Sequence, residues 1–81
     1  HKGWRVRVAT LSEASNVKVM VKRLKAHGFN PYTQKIRTPQ GNQLAVIWIG
    51  NELRKGEAEQ MAQRLKATVG LRTTIKNAEQ G

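Results

Sequence analysis

The hydrophobic spacing of this sequence switches between a period of two and a period near 3.6 in a fixed order. That order restricts the fold more than any single residue does. The stretch Trp4-Arg5-Val6-Arg7-Val8-Ala9-Thr10 alternates apolar with mostly basic side chains, as a half-buried strand does. Trp4, Val6 and Val8 are expected on its core side, with Arg5, Arg7 and Ala9 on the other. Beyond Leu11, the group Ser12-Glu13-Ala14-Ser15-Asn16 supplies N-cap candidates, and Val17, Met20, Val21 and Leu24 then recur at helical spacing up to a stop at Gly28. Lys18, Lys22, Arg23 and Lys25 occupy the remaining face of that helix and read as solvated. His27 falls near its C-terminal end, where a cation suits the dipole.

Residues 29–37 read as a second strand, in which Pro31 lacks an amide donor and so predicts an edge position or an irregular start. Thr38-Pro39-Gln40-Gly41-Asn42 has the composition of a turn. Residues 43–49 form the most apolar segment of the chain and predict a third strand, closed by Gly50. A second helix is expected over residues 55–68. Ala58, Met61, Ala62 and Leu65 lie on one of its stripes, Glu57 and Glu59 in its first turn, and Gly70 at its stop. Residues 71–76 make a short fourth strand. The order is therefore β-α-β-β-α-β. With right-handed crossovers it predicts an α+β fold of ferredoxin-like type, a four-stranded antiparallel sheet with both helices on one face. The expected domain spans residues 4–76, with 1–3 and 77–81 as flexible ends.

Size and charge narrow the possible activities. A chain of 81 residues buries only about 60–65% of its unfolded surface, which supports one modest core and excludes a large enzyme with an internal chamber. Fifteen Lys and Arg against five Asp and Glu give a net charge of +10, which attracts polyanions. The absence of cysteine removes disulfides, thiolate zinc sites and a cysteine nucleophile together. No apolar run approaches the roughly 20 residues that span a bilayer, and His1-Lys2-Gly3 lacks the makeup of a signal peptide. Any membrane anchor is expected in a preceding segment.

Two helices on one side leave the other side of the sheet uncovered. If Ala45, Ile47 and Ile49 face the helices, Leu44, Val46 and Trp48 face the open side, together with Tyr32 and Gln34 of the second strand and Arg5 and Arg7 of the first. Aromatic rings suit the apolar face of a sugar or a nucleobase, and guanidinium groups suit carboxylate, phosphate or hydroxyl. The pattern points to a sheet-face site for a linear polymer. The alternative is that Trp48 belongs to the core, by a one-residue slip or beneath a neighbouring domain. Trp4 reads as a cap on the core edge.

Catalysis finds little support. Among Glu13, Glu52, Glu57, Glu59 and Glu79, no spacing pairs two carboxylates on the open face. No His, Asp and Glu cluster has metal-ligand spacing, Ser12 and Ser15 read as helix caps, and Gly50 and Gly56 lack the lysine-bearing fingerprint of a nucleotide loop. Leu11-Ser12-Glu13 also lacks the arginine and asparagine that an acylphosphatase-like loop needs. Neither an enzyme nor a cofactor is expected.

The stretch from Trp4 to Leu11 resembles the opening strand of the SPOR (sporulation-related repeat) domain, where a valine-glutamine pair typically precedes glycine-serine-phenylalanine. Asn16-Val17, Leu24 and Gly28-Phe29 fall where that family has its first helix leading to a glycine and an aromatic. Ile47-Trp48-Ile49-Gly50 resembles its third strand, and Glu57-Ala58, Leu65 and Gly70 its second helix and stop. The resemblance runs over nearly the whole chain and rests on the joint order of short motifs. It implies binding to the glycan strands of bacterial peptidoglycan, above all strands stripped of stem peptides, in cell-division proteins of the septum. It places the ligand on the helix-free sheet face. By position, Arg7 stands where the family has glutamine, Thr10 where it has serine, Val46 where it often has arginine and Asn51 where proline is frequent. Ile75 falls on a fourth-strand position that faces the glycan.

Together these readings give an expectation: a non-enzymatic, monomeric peptidoglycan-binding domain in the periplasm, part of a longer membrane-anchored protein at the septum. Trp48 and Tyr32 would stack on sugars, Arg5 and Arg7 would pair with carboxylates or hydroxyls, and Thr10 and Gln34 would hydrogen-bond. Val46 and Ile75 complete the expected contacts. The alternative is a single-stranded RNA-binding module, which uses the same topology but wants a basic residue, a glycine and two or three aromatics on its third strand. Residues 43–50 hold one aromatic. A third class, a protein-interaction domain, would dimerise through the exposed sheet face.

Overall fold

The structure, a computed structural model, describes residues 3–77. Its elements run β1 (Trp4–Leu11), α1 (Ala14–Ala26), β2 (Pro31–Arg37), β3 (Gln43–Leu53), α2 (Lys55–Val69) and β4 (Thr74–Asn77). The sheet has the order β2-β3-β1-β4, and the pairings β1–β3, β1–β4 and β2–β3 are all antiparallel. This is the ferredoxin-like βαββαβ arrangement expected from the order of periods, with Pro31 opening an edge strand.

One core holds the layers together. Val6 and Val8 of β1 and Ile47 and Ile49 of β3 meet Leu24 of α1 and Ala58, Leu65 and Val69 of α2, with Phe29 closing one end. Val6, Leu24, Ile47 and Leu65 are the largest side chains wholly removed from water. Burying each of them contributes roughly 1.5–3 kcal/mol, the main favourable term in a domain this small. Both helices thus lie over the same sheet face.

Helix ends and turns follow from local chemistry. The N–H groups of Gly28 and Phe29 donate to the carbonyls of Lys25 and Leu24, closing α1 in a Schellman pattern that delivers Phe29 into the core. The Glu57 carboxylate accepts from the Arg54 N–H at 2.8 Å and fixes the start of α2. The β2–β3 turn is closed by Thr38, whose amide donates to the Asn42 carbonyl and whose hydroxyl accepts from the Asn42 amide.

Several expectations are corrected. The N-cap of α1 is Glu13 without a side-chain cap, and Ser15 lies inside the helix, so neither Ser12 nor Ser15 caps it. Phe29 precedes β2 and is core. β3 continues through Gly50 to Leu53, and β4 begins at Thr74. Gly3 and Asn77, expected in flexible ends, belong to the fold. Asn77 pairs with Trp4, and Gly3 is buried so close to the Glu52 backbone that a methyl group there would overlap it. Residues 1–2 and 78–81, with Glu79, lie outside the described residues.

Arg23 is also not simply solvated. Its Nη2 donates to the Val69 carbonyl at 2.8 Å, so α1 supplies a cation to the last turn of α2. Arg23→Met is expected to lower stability by about 1 kcal/mol, or roughly 4–8 °C in Tm, whereas Lys22→Met on the same helix should change neither. Paired thermal and urea unfolding curves check this. Equal losses in the two variants would remove the interhelical role of Arg23.

Candidate ligand-binding face

β1 and β3 do not run in simple register, and the two departures build the helix-free face. Val6 stands opposite Ile49 and Arg7 opposite Trp48, but Ala9 then stands opposite Ile47. One extra residue on β1 is absorbed there as a bulge. Val8 stays in the core, Ala9 turns inward against it, and Thr10 comes out opposite Val46. The outward placement expected for Ala9 is therefore wrong. Strict alternation would also have sent Thr10 inward. The bulge is what puts Thr10 on the same side as Arg7.

The second departure lies between Trp4 and Val6, where β3 advances from Ile49 to Leu53. Gly50 takes φ 82° and Glu52 φ 57° to make this excursion. At Gly50 a side chain would be strained by that backbone and would also meet Leu53, so the site favours glycine. The Tyr32 hydroxyl donates to the Gly50 carbonyl at 2.9 Å and ties the excursion to the edge strand. Opposite it, Arg5 lays its guanidinium over Trp48, 3.5 Å from the ring centroid.

That contact corrects the picture of a bare tryptophan. Trp48 does lie on the helix-free side, opposite Arg7 on β1 and Tyr32 on β2, yet it is only 4% exposed. Arg5 covers its face, and its Nε1–H donates to Gln34 Oε1 at 3.0 Å. The aromatic surface offered to solvent is that of Tyr32, 38% exposed. Arg5 Nε is buried without a hydrogen-bond partner, a donor removed from water and left uncompensated.

Beside this stack is a hollow of about 310 Å³, near the lower end of the roughly 300–1,000 Å³ typical of ligand clefts. Val46, Trp48 and Ile36 give its apolar surface; Thr10 and Gln34 give polar groups; Arg7 and Lys76 give positive charge, with no carboxylate in the lining. A larger groove exists between α1 and β2, but the hollow is where most of the residues singled out by sequence converge. Arg7, Thr10, Gln34, Val46 and Trp48 line it together. Arg5 and Tyr32 do not line it but neighbour Trp48, Arg5 over its ring and Tyr32 opposite it on β2.

Ile75 is not among them. It stands opposite Val6 and packs into the core, so the expected contact from Ile75 is corrected. The fourth-strand residues facing the open side are Thr74, opposite Arg7, and Lys76, opposite Arg5. Lys76 and Ile36 were missed by sequence reasoning. Ile36 follows Tyr32 and Gln34 at a period of two, so its signal was available, whereas Lys76 depends on a register that four residues cannot announce. Among the described residues, no group of three His, Cys, Asp or Glu side chains could hold a metal ion.

The family model for the SPOR domain matches residues 1–77, taking in every element of the fold. This chain belongs to the SPOR domain family. SPOR domains are binding domains that attach to peptidoglycan in bacterial cell-division proteins of the periplasm or envelope. No match was found among curated proteins or among solved structures. A SPOR face in which an arginine sits on the third-strand tryptophan presents cations and hydroxyls in place of an open indole.

Removing that cover gives a direct check. In a Trp4→Phe background, Arg5→Ala is expected to make Trp48 emission redder and more readily quenched by acrylamide. Stability should fall by about 0.5–1 kcal/mol with loss of the cation–π contact. Unchanged quenching would mean that something other than Arg5 covers the ring.

Proposed function

We propose that this SPOR domain binds peptidoglycan glycan strands stripped of their stem peptides, lying across the helix-free face, and so carries a longer envelope protein to the division septum. The observation carrying this reading is the pair Arg7 and Lys76 at a hollow with no acidic lining. A stripped strand presents a free lactyl carboxylate on alternate sugars, and each carboxylate needs a cation beside hydroxyl and amide partners. Thr10 and Gln34 supply the neutral hydrogen bonds. Tyr32, with Ile36 at 39% exposure, supplies apolar surface for sugar rings. Arg5 contributes charge from above Trp48. Binding is by one strand per monomer and needs no cofactor.

The RNA-binding alternative draws less support from this geometry. Base stacking on the central strands needs open rings there; the β3 ring is covered and β1 offers Arg7 at the equivalent place. Among the described residues, no helix is long and apolar enough to cross a membrane.

Pelleting with purified sacculi, before and after amidase treatment, tests the proposal. The domain should be retained more strongly by amidase-treated sacculi, and Arg7→Ala should weaken retention about tenfold or more, as loss of a charged hydrogen bond predicts. Equal retention by both preparations, or competition by single-stranded RNA at lower concentration than by soluble glycan, would overturn it.

A further inference from the structure

α1 does not cover the sheet evenly. Its stripe Val17, Met20, Val21 and Leu24 packs towards the core, and Leu24 is buried. β2, at the sheet edge, is left exposed from Tyr32 to Arg37. Between them runs an open groove of about 520 Å³, floored by Val17, Val21 and Pro31. Lys18, Lys22 and Lys25 rim it on the helix side, at spacings of four and three that place them along one edge, and no carboxylate is in its lining. A second, smaller hollow shares Val17 with it and reaches Lys35, with Glu13 at its far end. The groove borders the start of β2 at Pro31, Tyr32 and Thr33, while the second hollow turns under the N-terminal end of α1 across Lys35, Ala45 and Leu11. β2 itself is a strand of seven residues, about 24 Å.

Three properties coincide here. An edge strand carries unpaired backbone N–H and C=O groups along its outer side, able to accept another strand. An apolar floor lies beside that edge, and a row of cations borders it. The SPOR-type glycan surface is on the opposite face and uses none of these residues except Tyr32. A lipid surface would meet the lysines but leave the backbone edge without partners. A sugar chain could hydrogen-bond to parts of that edge, but it lacks the evenly spaced N–H and C=O groups that pair along a whole strand.

We infer that the α1–β2 groove is a docking site for an acidic, extended polypeptide segment, which adds as a strand to β2 and sets its carboxylates against Lys18, Lys22 and Lys25. One apolar side chain of the segment enters between Val17, Val21 and Pro31. The next side chain along the added strand turns away, so the recognised pattern alternates acidic or apolar residues on the groove side with unconstrained ones on the other. Pro31 donates no hydrogen bond and limits the pairing to Tyr32 and beyond. The site takes a protein partner and leaves the hollow at Arg7 free, so it does not depend on the glycan reading.

The test uses the 81-residue chain, isotope-labelled, titrated with a synthetic eight-residue peptide alternating glutamate and valine. Amide shifts are expected along α1 and β2, from Val17 to Lys25 and from Tyr32 to Arg37, with Arg7, Thr10 and Lys76 unmoved. Lys18→Glu combined with Lys22→Glu should weaken binding at least tenfold while leaving retention on sacculi unchanged. Methylating alternate backbone nitrogens of the peptide should weaken it similarly. No shifts at millimolar peptide would overturn the inference. So would shifts centred on Arg7, equal binding by the methylated peptide, or equal shifts on adding vesicles of acidic phospholipid.

Discussion

The pairing of β1 with β3 governs the rest of this domain. These strands form the centre of the sheet, carry Val6, Val8, Ile47 and Ile49 into the core, and set Arg7 beside Trp48 on the other side. Had they paired without interruption, Ala9 would face solvent and Thr10 the helices. The extra residue near Val8 reverses both, and across from the excursion at Gly50 Arg5 lies over Trp48. Two local breaks in hydrogen-bond register thus determine the chemistry of an entire surface.

The same two strands bind the helices, and the helices bind each other. Leu24 and Leu65 descend on Ile47 and Val6, while Arg23 spans from α1 to the Val69 carbonyl at the end of α2. In so small a domain few residues serve one purpose. β3 is apolar on both sides because one face meets helices and the other is sealed by Arg5, Tyr32 and Gln34. This explains why residues 44–49 read as continuous hydrophobic sequence in place of the alternation seen in β1.

Much of this was legible from residues alone. The alternation from Trp4 to Thr10, the helical stripe ending at Leu24 and the glycines at helix ends gave the element order, and handedness then left one arrangement. The side of the sheet on which Arg7, Gln34, Val46 and Trp48 lie also followed from alternation. What sequence could not convey was displacement from that alternation. A bulge is a choice between nearly equal hydrogen-bond registers, decided by packing around Ala9 and Leu11 and carrying no composition of its own. Ile75 was assigned the wrong side, and Lys76 was overlooked, for the related reason that β4 has only four residues. The covering of Trp48 was hidden as well, since alternation says which side an arginine faces but not whether its long side chain extends into water or lies over a neighbouring ring.

The contacts that obscure the indole also immobilise its surroundings. Gln34 is held by the Trp48 Nε1–H, the Arg5 guanidinium by the ring beneath it, and the Tyr32 phenol by the Gly50 carbonyl. Ordering a long side chain at the moment of association costs about 0.5–1.5 kcal/mol. Here that loss of rotational freedom accompanies folding, long before any polymer arrives. A surface rigid in advance leaves the entropic penalty of capture to the flexible partner, and it discriminates by shape because its groups have little latitude to rearrange around a poor fit.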